Sequence, residues 1–263
     1  MSQSHRARKR FGQHFLTDGH TVAAIVHAIH AKASDHIVEI GPGLGALTQE
    51  LLPLVQRMDA VELDRDVIPK LKQLCLPLGK LTIHSADALQ FDFCQLQTNA
   101  KLRVVGNLPY NISTPLIFRL VEQSHCVEDM HFMLQKEVVD RMAAAPACSD
   151  YGKLSVMLQY FCEVESLFEV PPSAFSPPPK VNSAVVRLRP FASPPLALGD
   201  VALFERVVTQ AFSQRRKTLR NTLKSLIGEQ ELQLLEIDPV RRAETLTLEE
   251  FAVISRYLEQ NSR

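Results

Sequence analysis

Short apolar runs alternate with helical spacings through most of the chain. Residues 37–40, 60–63, 81–84, 102–105 and 130–134 are apolar runs of strand length. Between them lie helical patterns. Val22, Ile25, Val26 and Ile29 mark one face of a helix, with Thr17 or Asp18 as its N-cap. A glycine turn after residue 40 opens a helix through Leu51 and Leu54, and further helices are expected over 67–74, from Pro115 at N1 through Leu120, and over 138–144. Strands alternating with helices predict an α/β fold, a mostly parallel sheet covered on both faces. The pattern changes after Tyr160. Residues 164–170 and 184–188 are two strands joined by a stiff segment, 171–180, that holds five prolines. No helix intervenes, so an antiparallel edge is expected. A linker at 192–200 leads to a helical remainder, which divides the chain into a larger domain, 1–191, and a helical one, 200–263.

Composition adds bounds rather than a function. The 263 residues are 46% hydrophobic and 22% charged, enough for a sizeable core. The 29 basic and 29 acidic residues cancel, so only the distribution of charge can point to a nucleic-acid partner. No apolar run reaches the ~18 residues of a membrane span, and no signal-peptide pattern follows the basic start, so a cytoplasmic protein is expected. Cys75, Cys94, Cys126, Cys148 and Cys162 are scattered and odd in number, which reads as reduced thiols with no metal spacing. His27 and His30 also lack partners of metal spacing, and Asp64 and Asp66 read as a solvated turn.

Asn107-Leu108-Pro109-Tyr110 follows the run at 102–105, at the C-terminal end of a strand, where open α/β sheets bind ligands. The Asn107 side-chain oxygen and the Leu108 carbonyl can both accept hydrogen bonds from one exocyclic amine. Pro109 fixes the local φ, and Tyr110 offers a ring face to a base. The same residues also suit a plain strand-to-helix turn. Upstream, the turn Gly41-Pro42-Gly43-Leu44-Gly45 satisfies the relaxed dinucleotide fingerprint with Ala46, and Glu62 stands near where a ribose-binding acid belongs. A nicotinamide enzyme is therefore a rival here. Three features favour S-adenosylmethionine (SAM). Pro42 stiffens the turn, Glu62 ends the second strand where it can take a ribose diol, and Asp87 follows the third strand where it can accept from an adenine amine.

Four motifs then stand in order: Arg10-Phe11-Gly12-Gln13-His14-Phe15-Leu16, the turn from Glu39 to Gly45, Gly106-Asn107-Leu108-Pro109-Tyr110-Asn111-Ile112-Ser113, and Phe175-Ser176-Pro177-Pro178-Pro179-Lys180-Val181. With these the chain resembles the small-subunit (16S) ribosomal RNA adenine dimethyltransferases, the KsgA/RsmA group, from about residue 8 to the C-terminus. The resemblance implies a Rossmann-like class I SAM methyltransferase sheet with a small all-helical C-terminal domain. It implies SAM held by His14, Leu16, Gly41, Glu62, Asp87 and Asn107; position 14 is often Asn in relatives. It also implies that Asn107 and Leu108 accept from the target amine and that Tyr110 stacks on the adenine, with Phe175 a candidate for the other face. The implied reaction is N6,N6-dimethylation of two adjacent adenosines in the 3′-terminal hairpin loop of 16S rRNA. The partner is the small ribosomal subunit or its precursor, met by a monomer.

The helical remainder carries an RNA candidate. Phe204, Val208, Phe212, Leu219, Leu223 and Leu226 form an apolar stripe at helical spacing, and Arg216, Lys217, Arg220 and Lys224 fall together on its flank. Arg6, Arg8, Lys9 and Arg10 form a second basic patch. Two alternatives stay open. A 23S rRNA methyltransferase of the resistance type shares the Asn-Leu/Ile-Pro-Tyr core, and an assembly factor could keep SAM only structurally. The basic stretch 214–220 favours the small-subunit group, and intact Glu62, Asn107 and Tyr110 favour catalysis.

Overall fold

The computed structural model describes residues 14–261. A two-residue strand β1 (Phe15–Leu16) and helix α1 (Gly19–Ile29) precede β2 (His36–Ile40), α2 (Ala46–Leu51), β3 (Met58–Glu62), α3 (Ile68–Cys75) and β4 (Leu81–Ser85). Next come β5 (Leu102–Asn107), α4 (Ser113–Glu122), β6 (Val127–Gln135), α5 (Lys136–Ala143) and α6 (Lys153–Phe161). Strands β7 (Cys162–Val170), β8 (Phe175–Ser176) and β9 (Ser183–Pro190) follow. Helices α7 (Val201–Ala211), α8 (Leu219–Thr222), α9 (Glu229–Leu234) and α10 (Leu248–Asn261) complete the described chain.

The main sheet has the order β4-β3-β2-β5-β6-β9-β7. The first five strands in that order are parallel, and β9 runs antiparallel to β6, giving the expected mixed sheet with an antiparallel edge. Every residue of β2 and β3 is buried, as strands covered on both faces require. Asp18 is the N-cap of α1, and its carboxylate accepts from the Thr21 amide at 2.8 Å. The helix expected to open at Pro115 starts two residues earlier, at Ser113. Pro115 still costs no hydrogen bond there, because the first four amides of a helix have no intrahelical partner. At the far end of the sheet Arg103 donates to Asp129 at 2.8 Å, to Asp35 at 2.6 Å and to the Ile29 carbonyl at 2.6 Å. That knot ties β5 to β6 and to the end of α1.

The chain divides into two compact units, one running to Val139 and taking back Glu165–Pro190, the other Asp140–Val164 with the chain from Phe191 onward. The division differs from the boundary drawn at 191–200, because α6, a helix the apolar pattern did not announce, packs against α7 and α10. Tyr160 of α6 meets Phe204 of α7 at 5.3 Å between ring centroids, and Phe212 meets Phe251 of α10 at 5.7 Å. Two further expectations are corrected. Cys94 and Cys126 form a disulfide, with Cα atoms 5.4 Å apart, while Cys75, Cys148 and Cys162 are free. Asp64 is 2% exposed, so its turn is not solvated at that residue; its carboxylate accepts from the Asp66 amide at 3.2 Å.

One close approach sets the spacing of the central strands. A Cβ on Gly106 would stand 2.5 Å from the Ile40 carbonyl oxygen, a backbone atom that cannot swing aside, and 3.2 Å from the Leu108 side chain. Gly106→Ala is expected to lower the unfolding free energy by about 1–3 kcal/mol, the scale of overpacking. Urea denaturation checks it, and unchanged stability would show that β2 and β5 can part without cost.

Candidate active site

Parallel, in-register pairing brings the C-terminal ends of β2, β3, β4 and β5 into one row, with Glu39 beside Ala60 and Val105, and Glu62 beside Ser85. The turns that leave those ends line a cleft of about 360 Å³. His14, Leu16, Gly41, Glu62, Asp87, Asn107, Leu108 and Tyr110 all line it, so the structure brings these sequence-predicted residues together.

The glycine turn is held from within. Gly43 has φ 54°, and a Cβ there would meet the Phe15 ring at 3.1 Å, so both conformation and space call for glycine. The Gly41 amide donates to the Val61 carbonyl at 2.9 Å and the Gly45 amide to the Pro42 carbonyl at 2.8 Å. The Gly43 amide donates to Glu62 Oε2 at 3.1 Å. All three glycine N–H groups are thus engaged inside the protein, and none is left to cradle a pyrophosphate. Glu62 accepts a second bond, from the Asp64 amide to Oε1 at 2.8 Å. A carboxylate has about four acceptor sites, so Glu62 keeps capacity for a diol. Asp87 accepts from the Leu89 amide through Oδ1 at 3.0 Å and stands half-buried at the cleft wall. Carboxylates at two successive strand ends suit a ribose and an adenine that carry no phosphate, which is the nucleoside part of SAM.

The Asn107 end is equally fixed. Asn107 Nδ2 donates to the His14 carbonyl at 2.9 Å, which orients the amide and leaves Oδ1 as an acceptor. The His14 ring donates through Nδ1 to the Pro177 carbonyl at 2.8 Å and stacks on Tyr110 at 6.0 Å. The Tyr110 hydroxyl is 2.8 Å from Ser183 Oγ, a residue fully buried at the start of β9. Pro109 and Ser113 close the turn, with Ile112 N–H on the Pro109 carbonyl at 3.2 Å and Ser113 Oγ on the Tyr110 carbonyl at 3.1 Å.

Phe175 is set apart from these residues. It is 4% exposed and belongs to the core with Leu16, Val170 and Ala174, and it does not line the cleft. Pairing of β8 with β1 places it opposite Leu16, and both side chains pack into the same core. The basic residues also sit differently from the expected single helix. Helix α7 ends at Ala211 and α8 starts at Leu219, so the stripe from Phe204 to Leu226 is not continuous. The Leu219 and Arg220 amides bond to the Arg241 and Pro239 carbonyls at 2.8 and 3.0 Å, and this tertiary pairing overrides the helical spacing. Arg216, Lys217, Arg220 and Lys224 are nevertheless all exposed. The basic patch at Arg6, Arg8, Lys9 and Arg10 lies outside the described residues.

Local residue types did not reveal four supports of the site: Gly106 behind Asn107, Phe15 over Gly43, Ser183 on Tyr110, and the Glu39–Thr48 pair. Gly106, Phe15 and Glu39 lie inside the quoted motifs, where their neighbours could have drawn notice; Ser183 and Thr48 do not.

The fold and this cleft define a SAM-dependent methyltransferase of class I architecture. The family model described as ribosomal RNA adenine dimethylase matches residues 4–260. The chain belongs to the ribosomal RNA adenine dimethylase family. It is 55% identical to ribosomal RNA small subunit methyltransferase A of Pseudomonas aeruginosa over 97% of this chain and 96% of that one. It is 56% identical to the protein of the same name from Thiobacillus denitrificans, over 97% and 98%. The crystal structure of a dimethyladenosine transferase from Plasmodium falciparum superposes with a TM-score of 0.82 at 27% identity, covering 95% of this chain and 98% of that one. The 23S rRNA methyltransferase ErmE, at 24% identity and a TM-score of 0.73 over 94% and 100%, shares the fold.

Burial leaves a titration signature under the glycine turn. Glu39 is 2% exposed, and desolvation pushes its carboxyl up to about 7; the Thr48 hydroxyl, donating at 2.5 Å, opposes the shift, and the Glu62 charge adds to it. Burial raises the Glu62 carboxyl as well, against the pull of the Asp64 and Gly43 amides. A carboxyl whose folded pKa is raised binds more protons folded than unfolded, so its contribution is most favourable at low pH and is lost as pH rises from 4.5 through about 7. Glu39→Gln removes that dependence. Relative to wild type, the variant should gain about 2–3 kcal/mol of stability between pH 5 and pH 8. Denaturant titrations across that range test this, and a difference independent of pH would show that Glu39 ionises as easily folded as unfolded.

Proposed function

We propose that the protein transfers methyl groups from SAM to the N6 amines of two adjacent adenosines in the 3′-terminal hairpin loop of 16S rRNA. It acts as a monomer in the cytoplasm, on the small ribosomal subunit or its precursor. The names of the relatives support the small-subunit substrate, and among the described residues no helix is long and apolar enough to cross a membrane. The observation that carries the reading is the locked amide of Asn107, whose N–H on the His14 carbonyl reserves Oδ1 for a donor in a cleft that Tyr110 also lines.

His14, Leu16, Gly41, Glu62, Asp87 and Asn107 are the residues assigned to SAM. Bound there, SAM supplies an electrophilic methyl group on a sulfonium. The amino nitrogen of adenine is a poor nucleophile because its lone pair is delocalised into the ring. Asn107 Oδ1 and the Leu108 carbonyl accept its two N–H groups, which turns the lone pair out of the ring plane toward the methyl carbon. The protein thus contributes position and polarisation. The proton is released to water after alkylation, and no side chain need act as base. Tyr110, steadied by Ser183, stacks on the adenine. A paired base hides its amine, so the adenosines must be presented unpaired. The exposed Arg216, Lys217, Arg220 and Lys224 of the helical unit are assigned to rRNA phosphates.

The decisive assay is incubation with labelled SAM and separated ribosomal subunits, followed by mapping of the methylated nucleotides. Label is expected on two adjacent small-subunit adenosines; label on the large subunit, or none, overturns the proposal. In the same assay at saturating SAM, Asn107→Ala should lose most turnover while its melting temperature stays within a few degrees. Unchanged turnover removes the role of its oxygen. Replacing Arg216, Lys217, Arg220 and Lys224 together with Ala should weaken subunit binding and flatten its salt dependence by about one unit of slope per lost phosphate contact. SAM affinity should stay constant. Identical slopes for variant and wild type would return these side chains to plain solvation.

A further inference from the structure

At the N-terminal end of β6, opposite the cleft end of the sheet, two cysteines and a histidine converge. Cys94 Sγ, Cys126 Sγ and a ring nitrogen of His125 all lie within 4.8 Å of one another. Cys126 is buried, Cys94 half-buried and His125 exposed. The two sulfurs are joined as a disulfide across 32 residues of sequence, yet that bond is not what brings them together. Gln123, 7% exposed, accepts the Phe93 and Cys94 amides through Oε1 at 2.7 and 3.3 Å and donates through Nε2 to the Phe91 carbonyl at 3.3 Å. Its own carbonyl accepts the Cys126 amide at 3.1 Å. One buried side chain and its backbone therefore engage both cysteines through contacts other than the sulfur–sulfur bond.

We propose that Cys94, His125 and Cys126 form a thiolate–imidazole site for a zinc-class divalent ion, and that this site and the Cys94–Cys126 disulfide are alternative states of one pair of sulfurs. The donor chemistry fits. Two thiolates and a neutral imidazole are the soft and borderline ligands such an ion selects. Two thiolates also cancel its charge, which suits a partly buried position. Tetrahedral arms of about 2.3 Å set sulfurs about 3.8 Å apart, the separation two unbonded sulfurs adopt at contact. The fourth corner falls to water on the exposed side, where His125 stands. Exchange between the states balances with a low-molecular-weight disulfide as oxidant. One cysteine thiolate attacks it and releases a small thiolate; the second attacks the resulting mixed disulfide, closes Cys94–Cys126 and releases the other small thiolate. Two electrons pass from the cysteine sulfurs to the oxidant, and the ion leaves with its water.

The test uses the full-length protein, reduced with a phosphine, stripped of metal and titrated anaerobically with Co²⁺ and then Zn²⁺. Sulfur-to-cobalt charge-transfer absorption should saturate at a single ion per chain and be bleached by Zn²⁺. Glutathione disulfide should abolish it in step with the loss of two titratable thiols. Cys94→Ser and Cys126→Ser should each remove the signal although Cys75, Cys148 and Cys162 remain. His125→Ala should weaken binding at least about ten-fold, since even losing an outer hydrogen bond to a ligand costs that much. Absence of the signal in the reduced protein overturns the proposal, as does its survival in the double serine variant or its coexistence with the disulfide. Unchanged affinity in His125→Ala, or a pair that resists the phosphine, overturns it too. Should the serine variants fail to fold, the exposed His125→Ala and the oxidised wild type decide.

Discussion

The closeness of β2 and β5 at Gly106 is the constraint on which the active site depends. With no side chain at that position, β5 lies against the Ile40 carbonyl, and the turn after β2 comes level with the residue after Gly106. Asn107 then reaches a carbonyl in the segment that leads into β1. That segment is pinned in turn, because β1 pairs with β8 and the Phe15 ring covers Gly43. Each contact presupposes the one before it, so a single methyl group at Gly106 would be felt from the cofactor turn to the first strand.

Electrostatics follows from the same geometry. Parallel strands bring several acids to one end of the sheet, where Glu39 and Glu62 are buried within reach of each other's charge. The fold tolerates this by giving each carboxylate a nearby donor, Thr48 for Glu39 and two backbone amides for Glu62. One of those amides belongs to the glycine turn. The bond from Gly43 to Glu62 therefore steadies the acid and also closes the turn to phosphate. It separates this site from a dinucleotide site that shares its glycine spacing.

Much of this was legible in the sequence, and the gaps have a common cause. The strand ends and their turns are local: Gly41, Asp87 and Asn107 each follow an apolar run and Glu62 ends a strand, and parallel pairing is enough to gather them. Phe175 stands in the core and not along the cleft, and its place depends on pairing with Leu16, a partner far away in sequence that no spacing reveals. The helix expected through residues 212–218 failed because the Leu219 and Arg220 amides find carbonyls at Arg241 and Pro239, and a continuing apolar period says nothing about such competition. The Cys94–Cys126 pair was hidden for the same reason, since it is a buried glutamine between them, not any Cys-x-x-Cys spacing, that makes them neighbours. Function written in consecutive residues shows in motifs, and function written across the fold does not.

The pairing of β1 with β8 has a consequence for synthesis. Phe15 and Leu16 are among the first described residues to be made, and their partners are Ser176 and Phe175. During translation β1 therefore waits, unpaired, while β2 to β6 are assembled, and closing so long a loop is slow. Until then the carbonyl that holds Asn107 has no fixed place. A nascent chain can own a complete parallel sheet and still lack an oriented amide, so competence arrives late and all at once, with the strand that ties the beginning of the domain to its end.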